Sequence, residues 1–179
     1  MKAILIGLYL AAIAGANVLT AKFAPLEFGS MLVPAGTFLI GATFMLRDFV
    51  QKAIGRRNTY RAIAAAMALS AVTSYALGDT LWIVFASAVT FMLSETADTE
   101  IFTKQRGSMA RRVLFSGLVG GSIDSAVFVL VGLSPLGAGF LPWEAIWQAI
   151  AGQMLLKAAM QALGAAALVL AAGRKPVAG

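Results

Sequence analysis

Six long apolar runs, at roughly 3–21, 32–54, 61–77, 80–103, 111–133 and 144–172, leave this chain little choice of fold. Each approaches or exceeds the ~20 residues that a helix needs to cross a bilayer. The breaks between them carry turn chemistry: "KFAPLEFGS", "GRRNTYR", "LGDT", "KQRGSMARR" and "SPLGAGFLPWE". With 60% of residues hydrophobic and 12% charged, too little polar surface remains to cover a soluble domain. The expected fold is an all-α integral membrane protein, one domain over 1–179, built as a compact bundle of six transmembrane helices.

The net charge of +6 is distributed as a topology signal rather than as a nucleic-acid surface. With six spans, Lys2, "GRRNTYR", "KQRGSMARR" and the "GRK" tail fall on one side. The opposite loops carry Lys22 with Glu27, Asp79 and Glu144. Both termini are therefore expected in the cytoplasm, in the cell (inner) membrane, with Trp82, Trp143 and Trp147 near the outer interface. The opening "MKAILIGLYLAAIAGA" also has the outline of a secretory leader. Read as the first span, it balances the charge pattern, and that is the expectation.

With no cysteine and no histidine, thiolate chemistry, Cys-based zinc sites and the usual general base are all missing. No metal, cofactor or nucleic-acid partner is expected. The informative residues are instead the ionisable ones inside the apolar runs. Three of the eight carboxylates, Glu95, Asp98 and Glu100, crowd into "LSETADTEIF". Helical spacing puts Phe91, Glu95, Asp98 and Phe102 on one stripe and sends Glu100 to another face, within reach of Lys104.

The same pairing of ring and polar group recurs at Phe44, Asp48 and Gln51, and at Asp124 and Phe128. The last run adds Gln153, Lys157 and Gln161, and the first adds Asn17. A charge at mid-bilayer costs about 2.5–3.5 kcal/mol, so these groups must pair, face a polar cavity or be protonated. Asp124 with Lys157 reads as an ion pair that either locks two helices or belongs to a site. Glu95 with Asp98, lacking an evident cation, reads as a site. Arg47 is expected to snorkel towards the cytoplasmic headgroups. A cavity of carboxylates, amides and rings suits a small, planar, donor-rich solute.

Small-residue pairs, Ala12 with Ala16 and Gly117 with Gly121, allow close helix contact, within the chain or across a homodimer.

The segments "ANVL", "LVPAGTFLIGATFMLRDFVQKAIG", "LSETADTEIF", "RRVLFSGLVGGSIDSAVF" and "AGQMLLK" resemble the vitamin-uptake-type (VUT) membrane family, which includes the queuosine-precursor transporters. The resemblance implies a six-helix importer of 7-cyano-7-deazaguanine or its aminomethyl relative. It carries family positions onto Asn17, Asp48, Ser94, Asp98, Arg112, Ser116, Asp124, Phe128, Gln153 and Lys157. The chain departs from the family at Gln51, Lys52 and Glu95, and an added carboxylate could change the preferred solute. The substrate-binding set expected from residues and resemblance together is Asn17, Phe44, Asp48, Phe91, Ser94, Glu95, Asp98, Asp124, Phe128, Gln153 and Lys157. Glu95 or Asp98 would accept from the solute's ring N–H and amine. Two other readings stay open: a substrate-binding subunit of an energy-coupling-factor vitamin importer, and an intramembrane aspartyl protease using two buried Asp residues.

Overall fold

The computed structural model describes residues 1–29 and 31–173. Arg174 and Lys175, which the charge pattern counts on one side, lie outside them. Six α-helices follow the six apolar runs: α1 (Lys2–Lys22), α2 (Thr37–Ile54), α3 (Arg56–Ala76), α4 (Leu81–Lys104), α5 (Met109–Val127) and α6 (Trp143–Gly173). A short antiparallel hairpin, β1 (Leu26–Phe28) and β2 (Met31–Val33), joins α1 to α2. It is absent from the all-helical reading.

The boundaries move for local reasons. Pro34 disfavours helix before it, so the second helix starts at Thr37, whose N–H bonds the Pro34 carbonyl at 2.9 Å. Gly55, at φ +80°, turns the chain by itself, and "RRNTY" therefore belongs to α3 rather than to a loop. Thr80 and Ser108 cap α4 and α5, each accepting from a backbone N–H at 3.3 Å. Past Val127 the fifth helix widens into a π-helical segment, Phe128–Leu133, in which Ser134 N–H reaches the Val129 carbonyl at 2.9 Å. Such segments tend to mark functional positions. Trp82 Nε1 donates to the Val131 carbonyl at 2.8 Å.

Polarity is inverted relative to a soluble protein. Arg47, Asp48, Glu95, Asp98 and Lys157 are buried, while Leu155, Leu163 and Leu170 are more than 60% exposed. An apolar exterior around a polar interior is what a bilayer selects. Four helical stretches, α1, α4, α5 with its π extension, and α6, are long and apolar enough to cross a membrane. The other two carry more charge: Arg47, Asp48 and Lys52 in α2, and three arginines in the first two turns of α3.

Glycine makes the helix contacts close. A Cβ on Gly117 would strike the Gln161 side chain, and one on Gly121 would touch Lys157 Cβ at 3.4 Å. Gly120 accommodates Asp98 and Phe44, at 2.8 and 3.0 Å from an added Cβ. The small-residue face of α5 is thus filled from within the chain, by α2, α4 and α6. Ala16 is likewise buried, beneath the backbone of Gly36.

Candidate functional site

The ends of α1, α3 and α5 and the starts of α2, α4 and α6 gather around one cavity of about 470 Å³. That volume is in the range of small-molecule sites. Phe23, Pro34, Asp79 and Phe140 stand among its mouth residues, and Asp79 accepts from the Ser74 hydroxyl at 2.5 Å. Asn17 lines the wall, with its amide nitrogen donating to the Ser70 carbonyl (3.0 Å), Ser70 Oγ (3.1 Å) and Thr73 Oγ1 (2.7 Å). These bonds tie α1 to α3. Phe91 and Phe128 supply aromatic surface, the second from the first residue of the π segment.

The floor is ionic. Lys157 Nζ donates to Asp124 Oδ2 at 2.6 Å, Ser125 Oγ at 2.9 Å and Gln153 Oε1 at 3.4 Å, which uses all three of its protons. The pair joins α5 to α6. Asp124 keeps 15% of its side chain exposed and, with Gln153 and Lys157, faces the cavity. Two polar atoms there are buried and unspent: Gln153 Nε2, a donor, and the Thr90 hydroxyl. A buried polar group without a protein partner is costly unless a ligand or water meets it.

A second ionic cluster lies away from the cavity lining and corrects the expectation for Arg47. The guanidinium does not snorkel; it is fully buried. Arg47 Nη2 contacts Asp48 Oδ1 at 2.7 Å and also Asp98 Oδ2, and Nε lies 3.4 Å from Glu95 Oε2. Nη1 donates to Gln51 Oε1 at 2.6 Å and Thr99 Oγ1 at 3.3 Å, and Ser116 Oγ donates to Asp48 at 3.0 Å. Arg47 points inward because three carboxylates on two helices face it; a headgroup offers a weaker match to its planar fork. Glu95 and Asp98 therefore do have a nearby cation. Asp48 and Asp98, a candidate proteolytic pair, share the Arg47 guanidinium and are both 0% exposed.

Of the eleven residues expected to bind the solute, Asn17, Phe91, Asp124, Phe128, Gln153 and Lys157 line the cavity. Phe44, Asp48, Ser94, Glu95 and Asp98 do not. Ser94 sits between the two sets, with its hydroxyl 3.5 Å from Asp124 Oδ1. Glu100 pairs with Arg56 (2.6 Å) and Tyr60 (2.6 Å) rather than with Lys104. Arg112, carried over from the family, holds the Phe102 carbonyl near the end of α4 at 2.9 and 3.0 Å and stacks on the Phe102 ring at 4.0 Å.

Residues 73–171, from the end of α3 through most of α6, match the family model described as "Putative vitamin uptake transporter". That is more than half of the chain. The chain belongs to this vitamin uptake transporter family. Neither the curated proteins nor the solved structures contain a match. The matched region holds Phe91, Asp124, Phe128, Gln153 and Lys157, most of the ionic floor and aromatic wall. Family membership and four apolar helices of spanning length together make this a multi-pass membrane protein. Sequence reasoning missed Thr90 and the partnering of Arg47. Thr90 stands one helical turn before Ser94, a polar stripe that could have disclosed it.

Proposed function

We propose that this vitamin uptake transporter family member imports a queuosine precursor, 7-cyano-7-deazaguanine or its aminomethyl relative, across the cell membrane. The observation that carries the reading is the composition of the cavity floor: an accepting carboxylate, Asp124, beside an unspent amide donor, Gln153 Nε2, under Phe91 and Phe128. A guanine edge presents a carbonyl next to a ring N–H and an exocyclic amine, and it matches a donor next to an acceptor. Asp124 here takes the accepting role that the sequence suggested for Glu95 or Asp98, because those two are committed to Arg47. The resemblance to queuosine-precursor transporters selects this solute among planar heterocycles.

In this reading α2 and α3 complete a six-span bundle with the cavity mouth outward. The basic segments at Lys2, Arg56–Arg61 and Lys104–Arg112 gather at the opposite end, which the positive-inside rule puts in the cytoplasm. Trp82, Trp143 and Trp147, all at least 44% exposed and near the mouth end, suit the outer interface. Solute release requires the helices to rock about the floor, opening the Arg47 side.

Binding to the purified chain in detergent tests the solute class. The expected result is saturable binding of 7-cyano-7-deazaguanine, competed by guanine-edged heterocycles and at least tenfold less by adenine, whose six-membered ring lacks the carbonyl and the N–H beside it. Equal competition by adenine would remove the Asp124–Gln153 recognition scheme.

A further inference from the structure

The Arg47 cluster is unbalanced. Three carboxylates, Asp48, Glu95 and Asp98, surround one guanidinium, and all four side chains are at most 1% exposed. Fully ionised, the group would hold a net charge of −2 out of contact with solvent. Carboxylates that share a buried site do not all ionise. Among the described residues no acidic group has the geometry to hold a metal ion. A second cation, Arg112 of α5, shares the Phe102 ring with Arg47 but bonds the Phe102 carbonyl and none of the three carboxylates. Tyr9 on α1 is neutral, α3 presents Ala62, Ile63 and Ala66 to the Tyr9–Phe91 core, and on α5 Asp124 is already matched by Lys157 of α6.

The three carboxylates are not equivalent. Asp48 and Asp98 press on Nη2, whereas Glu95 Oε2 stands off at 3.4 Å from Nε. The Tyr9 hydroxyl, fully buried, faces Glu95. Glu95 is also the carboxylate nearest the cavity along the helix. Phe91, one turn before it, lines the cavity, and its neighbour Ser94 lies against Asp124 of the floor.

We propose that Glu95 is an exchangeable proton-binding site, loaded from the cavity side and emptied towards the cytoplasm as the solute is released. The proposal rests on the transport reading above. As the helices rock, Glu95 meets cavity water, and a hydronium proton forms an O–H bond at one carboxylate oxygen, leaving water. In release, that bond breaks, the proton passes to cytoplasmic water, and no electrons are transferred. Intramembrane acids commonly serve as such relays. One proton accompanies each solute, so a pH difference of one unit supports up to about tenfold accumulation.

Two measurements on the full-length purified protein test this separately from the solute assignment. Infrared spectroscopy at neutral pH should show buried carboxylic C=O absorption in the wild type that loses one component in Glu95→Gln, with Asp48 and Asp98 accounting for any remainder; no such absorption in the wild type, or an unchanged one in E95Q, overturns the proton site. In proteoliposomes with an alkaline interior, radiolabelled 7-cyano-7-deazaguanine should accumulate several-fold above the external concentration, and residual uptake by E95Q should not respond to the gradient. Wild-type uptake indifferent to pH overturns the coupling. A carboxylic band without uptake under any gradient keeps the proton site and overturns the solute.

Discussion

Replacing Arg47 with methionine should leave little folded protein. The substitution preserves much of the side chain's length but strands Asp48, Glu95 and Asp98 together in the interior, where the guanidinium now reaches all three. Removing one partner of a buried ion pair typically costs about 3–5 kcal/mol, against a total stability of about 5–15 kcal/mol. Arg47→Lys keeps the charge but not the fork that contacts two aspartates and Gln51 at once, so it should recover only part of the loss. The measurement is thermal unfolding in detergent, followed as monodisperse protein surviving a temperature series. Adding Asp48→Asn and Asp98→Asn to R47M should raise the midpoint again, because fewer buried charges then lack a partner. An R47M protein as stable as the wild type would mean that the cluster carries no net electrostatic strain to relieve.

The pair on the cavity floor should behave differently. Asp124→Asn leaves the Lys157 ammonium buried among neutral groups, Ser125 and Gln153, and should abolish uptake and lower stability together. That result alone would not distinguish a helix lock from a solute site. The double substitution Asp124→Leu with Lys157→Met does. Replacing a buried pair by apolar side chains of similar volume is often neutral or stabilising, so the bundle should fold about as well as the wild type. Uptake should stay at background, because the floor then offers no carboxylate to the solute's ring N–H and amine. Near-normal uptake by the folded double variant would reduce the pair to a lock between α5 and α6.

How much of this could be read from residues alone divides along a physical line. The six helices follow from apolar runs of spanning length, and each was legible to within a few residues. The exceptions were the starts of α2 and α3, which Pro34 and Gly55 set. The hairpin at Leu26–Val33 was missed because three-residue strands carry almost no periodic signal. Spacing along one helix correctly grouped Phe91, Glu95 and Asp98, which are all buried. It could not reveal which neighbour they meet. Arg47 lies three residues after Phe44 and four before Gln51, on the same stripe as Asp48, so its inward direction was available in the sequence. A long cation one residue from an acid can equally well snorkel, and only the packing of α2 against α4 decides between the two. The division of the polar residues into a cavity floor and a sealed cluster is therefore a tertiary fact. No single helix encodes it.

The proposal at the centre is that this chain imports a queuosine precursor. The direct measurement is queuosine in the tRNA of cells that cannot make the precursor, expressing this chain alone and fed 7-cyano-7-deazaguanine at low external concentration. Queuosine well above the empty-vector control is expected, with background levels in the D124L/K157M double variant at equal membrane abundance. No queuosine above control, with the wild-type protein present in the membrane, would contradict it.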